Sequence, residues 1–121
     1  MARVTGPDFV ALQVRDLEAS GCFYEERLGL GRAAHSPPGA VVFRSEPIPF
    51  MVREPAVDLD MVERPGWGVA LWLRCDDTQG LYDSLHASGV EIVQTPFDGP
   101  FERTFSLVDP DGYVVTVHCG G

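Results

Sequence analysis

The sequence predicts an α+β fold in which two tandem βαβββ modules form a curved mixed sheet around a concave pocket. Three observations carry this expectation. The run FVALQVRD from Phe9 recurs as GVALWLRC from Gly68. Each run is followed by an acidic segment and a short amphipathic stretch closed by glycine. Each stretch then gives way to three short β-like runs broken by Gly and Pro. Self-similarity at this spacing marks a duplicated supersecondary unit. A chain of 121 residues has enough surface to bury one core and too little for two independent ones. The expected organisation is one domain over 1–121, with a first module at 7–54, a linker at 55–65 and a second module at 66–119.

The first strand follows from alternation. Val10, Leu12 and Val14 share one face and Phe9, Ala11 and Gln13 the other, the period of two that a strand requires. Asp16 in RDLEAS then stands as a helix cap, and the helical stretch closes at Gly29 in RLGLG. The runs GLGRAAH, GAVVFRS and IPFMVRE complete the module as strands, and PAVDLDMVERPG reads as the linker. The second module repeats the scheme. Val69, Leu71 and Leu73 match the first face, and Gly68, Ala70 and Trp72 the second. CDDTQG opens the helix and Gly89 in HASGV closes it, and VEIVQT, RTFSLVD and YVVTVH supply the strands. VDPDGY between the last two is a tight-turn signal, so Asp109 and Asp111 are turn residues. With Val10, Leu12, Val14, Val69, Leu71 and Leu73 under the helices, Phe9, Ala11, Gln13, Gly68, Ala70 and Trp72 face the concave side.

Composition narrows the function. Net charge is −9, and all nine basic residues are Arg. A field of that sign repels phosphate backbones and anionic lipids, so neither nucleic acid nor membrane is an expected partner. No apolar run approaches the ~18 residues of a membrane span, and no apolar segment follows Arg3 as an export signal would, so the cytoplasm is expected. Cys22, Cys75 and Cys119 are odd in number and widely spaced, as reduced thiols are.

The first module resembles the vicinal oxygen chelate superfamily, which includes glyoxalase I, extradiol dioxygenases, fosfomycin-resistance enzymes and bleomycin-resistance proteins. The likeness rests on Val14, Asp16, Leu17, Ser20, Phe23, Tyr24, Leu28 and Gly29, together with the closing DPDG at Asp109 to Gly112. Phe23 and Tyr24 read as helix-to-sheet packing. The fold hosts unrelated chemistries, so the resemblance carries fold further than function. It implies that metal-dependent members hold a divalent ion at places that here fall on Phe9, Gly68, Thr116 and Met51. None of the four suits zinc, iron, manganese or nickel, which take His, carboxylate or amide ligands. Of the histidines, His35 falls near a loop and His86 on a helix, and only His118 is placed to face the pocket. The expectation is a site with no metal and no cofactor.

Most similar is the metal-free bleomycin-resistance branch, which implies a homodimer, paired or strand-swapped, that sequesters an antibiotic without altering it. The expected ligand is an aromatic or cationic small molecule such as a peptide antibiotic, bound for self-resistance, drug binding or chaperoning in antibiotic biosynthesis. The residues expected to line the site are Trp72, Trp67, Phe9, Gln13, Met51, Phe101, Thr116 and His118, with none catalytic. Trp72 is the expected stacking platform because its counterpart in the first copy is polar Gln13. The alternative is a glyoxalase- or dioxygenase-like enzyme with His118 as general base and Gln13 or Arg103 as oxyanion partner.

Overall fold

A computed structural model describes residues 2–119. The chain divides into two compact units, Met1–Leu59 and Asp60–Gly121, each built as an α+β layer.

In the first unit, β1 (Val10–Gln13) leads into α1 (Leu17–Cys22), which runs on as one π-helical turn at Phe23–Arg27. β2 (Ala40–Phe43) and β3 (Phe50–Arg53) follow, and the sheet order is β1-β3-β2. β1 pairs with β3 in parallel, from Val10 opposite Phe50 to Gln13 opposite Arg53, and β2 pairs with β3 antiparallel. Asp16 caps α1 as expected, its Oδ1 accepting from the Ala19 N–H at 3.0 Å. α1 packs on β2 and β3. Val14, Tyr24, Val41, Phe43, Phe50 and Val52 are buried on that side. Tyr24 lies 5.0 Å from Phe50 and 6.1 Å from Phe43 between ring centroids, so the helix-to-sheet packing read from the sequence is present. GLGRAAH, however, is not a strand. It contributes one bridge, Arg32 to Phe43.

The second unit has the complete set: β4 (Leu71–Arg74), α2 (Thr78–Ala87), β5 (Ile92–Gly99), β6 (Glu102–Val108) and β7 (Val114–His118), in sheet order β4-β7-β6-β5. β4 pairs with β7 in parallel, and β5, β6 and β7 form an antiparallel meander. The order repeats that of the first unit, β4-β7-β6 matching β1-β3-β2, with β5 the strand that the first unit reduces to the Arg32 bridge. Asp77 caps α2 through Gly80 at 3.0 Å. Gly29 and Gly89, after the two helical segments, both adopt φ of +80°, the left-handed stop that glycine takes without a Cβ clash. Asp109 Oδ1 accepts from the Asp111 and Tyr113 N–H groups, which makes DPDG the expected turn. The helix side of this sheet buries Leu85, Phe105, Leu107, Val115 and Val117.

One strand expectation fails at its start. The run from Gly68 does not pair until Leu71, and Val69 is 80% exposed instead of lying beneath the helix. Gly66 and Gly68 both take positive φ, so the backbone turns through this stretch before it can join the ladder.

Candidate functional site

Strand parity in the second unit sorts the side chains onto two faces. Phe105, Leu107, Val115 and Val117 point toward α2 and are buried, while Trp72, Arg74, Ser106, Thr116 and His118 belong to the opposite face. The register lines these up in cross-strand rows. Trp72 stands beside Thr116, which stands beside Ser106; Arg74 stands beside His118, which stands beside Thr104. Thr116 and Ser106 join their hydroxyls at 2.8 Å.

Above these rows three rings meet. Trp72 lies 5.5 Å from Phe101 and 5.6 Å from His118 between centroids, at interplanar angles of 71° and 66°, and Phe101 lies 6.2 Å from His118. These are T-shaped pairs, the arrangement favoured by the ring quadrupoles. Trp72 remains 45% exposed and Phe101 56% exposed, so the cluster is held in place without being sealed. His118 Nδ1 is buried and has no hydrogen-bond partner among the described residues.

Phe101 reaches the cluster because of the hairpin that carries it. Gly99 pairs with Glu102 across a turn made by Pro100 and Phe101. Proline presets the first turn position, and Glu102 takes the left-handed position that follows, at φ +67°. That conformation is costly for a residue with a side chain. The hairpin base is fastened by Arg103, which pairs with Asp98 at 3.3 Å and donates to Gln79 Oε1 of α2 from both Nε and Nη2. Arg103 thus lies on the helix side of the sheet, turned away from His118, and the oxyanion partnership considered for it does not form.

The other expected site residues are placed as follows. Trp67 is 76% exposed in the turn before β4, where Arg64 lies over its ring at 4.7 Å, and its described ring contact is that cation, not Trp72. Phe9, exposed just ahead of β1, and Gln13 and Met51 belong to the first unit, on the face of its sheet opposite α1. Gln13 Oε1 accepts from the Ala56 N–H at 2.6 Å. His35 is exposed, and His86 stacks on Tyr82 of α2 with centroids 5.6 Å apart.

Two residues escaped the sequence reading. Ser106 was within reach of it, since counting back from the DPDG turn sets Ser106 opposite Thr116. Arg53 is the second. Gln13 and Trp72 are equivalent in the two repeats, and Gln13 pairs with Arg53 as Trp72 pairs with Thr116. By register, therefore, the counterpart of Thr116 is Arg53, and Met51 matches Val114. The places at which the resemblance implies a metal in metal-dependent members then fall on Phe9, Gly68, Thr116 and either Met51 or Arg53. A phenyl ring, a missing side chain, a hydroxyl already bonded to Ser106 and a thioether or guanidinium do not make a ligand set for a hard or borderline cation. Among the described residues no three His, Cys, Asp or Glu side chains gather into a metal-holding group. The residues present do not fit a resident metal.

Burial pushes the Cys75 thiol above its ordinary range, with Asp76 and Asp77 nearby adding to the shift and a backbone hydrogen bond at Asp77 opposing it. Among the described residues, no helix is long and apolar enough to cross a membrane.

No curated protein matches the chain. Among solved structures, TnmS3, an antibiotic binding protein from Streptomyces sp. CB03234, superposes with a TM-score of 0.73 at 23% identity, covering 100% of both chains. A lactoylglutathione lyase from Agrobacterium tumefaciens gives 0.69 at 20% identity, covering 98% of this chain and 96% of its own. Protein ATC0852 from Agrobacterium tumefaciens gives 0.73 at 28% identity, covering 98% of this chain and 99% of its own. At such identities the first two establish the fold alone. The model of the glyoxalase/bleomycin resistance protein/dioxygenase superfamily matches residues 6–117, and the chain belongs to that superfamily.

Proposed function

We propose that this protein binds a planar aromatic or cationic small molecule, of the kind represented by peptide antibiotics, and sequesters it without chemical change. The observation that carries the reading is the Trp72–Phe101–His118 cluster. Three rings lie on a sheet face away from the helix, partly open, in a chain of net charge −9. An exposed indole edge-braced by two neighbours offers its remaining surface to a flat ligand, and a cationic group gains further from the ring quadrupole and the acidic surround. The fold shared with an antibiotic binding protein agrees with this reading.

Binding here is metal-free, because the places where the fold holds metal carry side chains without a competent donor set. The protein acts as a cytoplasmic homodimer. Met61, Trp67 and Val69 are each strongly exposed in the stretch ahead of β4, and pairing of two copies through a self-complementary surface would cover such apolar side chains. An enzyme reading has less support: Arg103 is committed to Gln79 and Asp98, and His118 Nδ1 has no described group to orient it as a base.

The test is fluorescence titration of a Trp67→Phe variant, in which Trp72 is the sole tryptophan, with bithiazole, quinoline and quinoxaline compounds. Saturable quenching, with unaltered compound recovered afterwards, is expected from at least one class. Turnover of the compound, or stoichiometric transition metal in the purified protein by elemental analysis, would overturn the proposal. Light scattering distinguishes the dimer from a species at the 13.2 kDa chain mass.

A further inference from the structure

We propose that Cys75 and Cys119 are a dithiol pair that closes to an intrachain disulfide by exchange with a low-molecular-weight disulfide. The placement is independent of the ligand reading and rests on strand register. β4 and β7 run parallel, paired from Leu71 opposite Val115 to Arg74 opposite His118. The ladder continues beyond the last pair, since the Cys75 N–H donates to the His118 carbonyl at 2.8 Å. Carried one residue further, the register sets Cys75 beside Cys119. Parity puts both on the α2 side of the sheet, in line with Leu73 and Val117.

Neighbouring strands lie about 4.7–4.9 Å apart, within the roughly 4.4–6.8 Å of Cα separation that a disulfide spans. Both residues are free thiols with partial exposure, so a small disulfide can reach them. Each now donates to a carboxylate, Cys75 Sγ to Asp76 Oδ1 at 3.9 Å and Cys119 Sγ to Glu102 Oε2 at 3.5 Å. Closing the pair therefore requires rotating the side chains toward each other. Cys119 lies one residue past the end of β7, where the ladder restrains it least. Cys22 belongs to the first unit, on α1, and has no other cysteine in that unit.

The chemistry balances with oxidised glutathione as the oxidant. One protein thiolate attacks a glutathione sulfur, expelling one glutathione thiolate and leaving a mixed disulfide. The second protein thiolate then attacks the protein-bound sulfur and expels the other. The protein loses two protons and two electrons, and one oxidised glutathione becomes two reduced. The bond would pin β4, which carries Trp72, to β7, which carries His118.

The experiment treats the intact protein with oxidised glutathione in mildly alkaline buffer, blocks remaining thiols, and reads mass before and after trypsin. The expected product carries a protein-to-protein bond and is about 2 Da lighter before blocking. Trypsin cuts after Arg74 and Arg103, so the fragments that begin at Cys75 and Thr104 should appear joined, while Cys22 is unlinked. Cys75→Ser and Cys119→Ser should each accumulate glutathione on the remaining partner, because the second exchange is then blocked. Stable glutathione adducts on both cysteines of the parent, a link to Cys22 or to a second chain, or both thiols left free would each overturn the pairing.

Discussion

The two units share a strand order, the first short of one strand, and both bury rings on the helix side of the sheet, but the second also carries a ring cluster on the opposite face. In the first, Tyr24, Phe43 and Phe50 lie on the helix side of the sheet and are buried, with ring centroids 5.0–6.1 Å apart. In the second, Trp72, Phe101 and His118 make contacts of similar length on the opposite face and stay partly open. Ring contact alone therefore does not separate a core from a site. Strand parity does, because one position along a strand moves a side chain from the covered face to the open one. The same duplication can then stabilise the fold with one set of rings and leave another set available to a ligand.

The largest effect that this contrast predicts lies in the first unit. Phe43→Ala removes a ring that is 1% exposed and should cost about 3–5 kcal/mol of stability, read by denaturant melts. A loss below about 1 kcal/mol would mean that the first unit's rings are not its core. The caps should behave alike in the two units, since Asp16 and Asp77 accept the same hydrogen bond at the same 3.0 Å. Replacing either with Ala is expected to cost about 1 kcal/mol, and unequal losses would break the structural equivalence of the two repeats. Glu102→Gly should have the opposite sign, raising stability by about 1 kcal/mol through relief of the left-handed backbone at φ +67°. No gain would show that the carboxylate's contact with Cys119 offsets the strain. The smallest effect is chemical. Because burial raises the Cys75 thiol, its thiolate is scarce at neutral pH, so alkylation there should lag behind a small free thiol and quicken as pH rises through and beyond the ordinary thiol range. Peptide-level alkylation rates across pH check this, and a rate at neutral pH equal to the free thiol's would contradict it.

Much of this was legible before the structure. Asp16, Gly29, Gly89 and DPDG announce caps and turns through local chemistry, and alternation placed Trp72 on the face away from the helix. GLGRAAH was misread because apolar content without clear alternation does not specify pairing, and only Arg32 finds a bridge. Val69 was misread because Gly66 and Gly68 turn the backbone just before it, which periodicity does not register. In the site, Phe101 is placed by a turn whose αL residue is Glu and not Gly, so the usual signal for that geometry was missing. Arg53 needed the β1/β3 register, a long-range property that no local pattern carries.

The central claim is that Trp72 serves a ligand and not the core, and one paired measurement on Trp72→Ala tests it most directly. Melting and binding of a quenching compound are followed on the same protein. Stability is expected to change by less than about 1 kcal/mol while affinity falls at least tenfold, about 1.4 kcal/mol. A stability loss of about 3–5 kcal/mol, or undiminished affinity, would make Trp72 a packing residue and contradict the account.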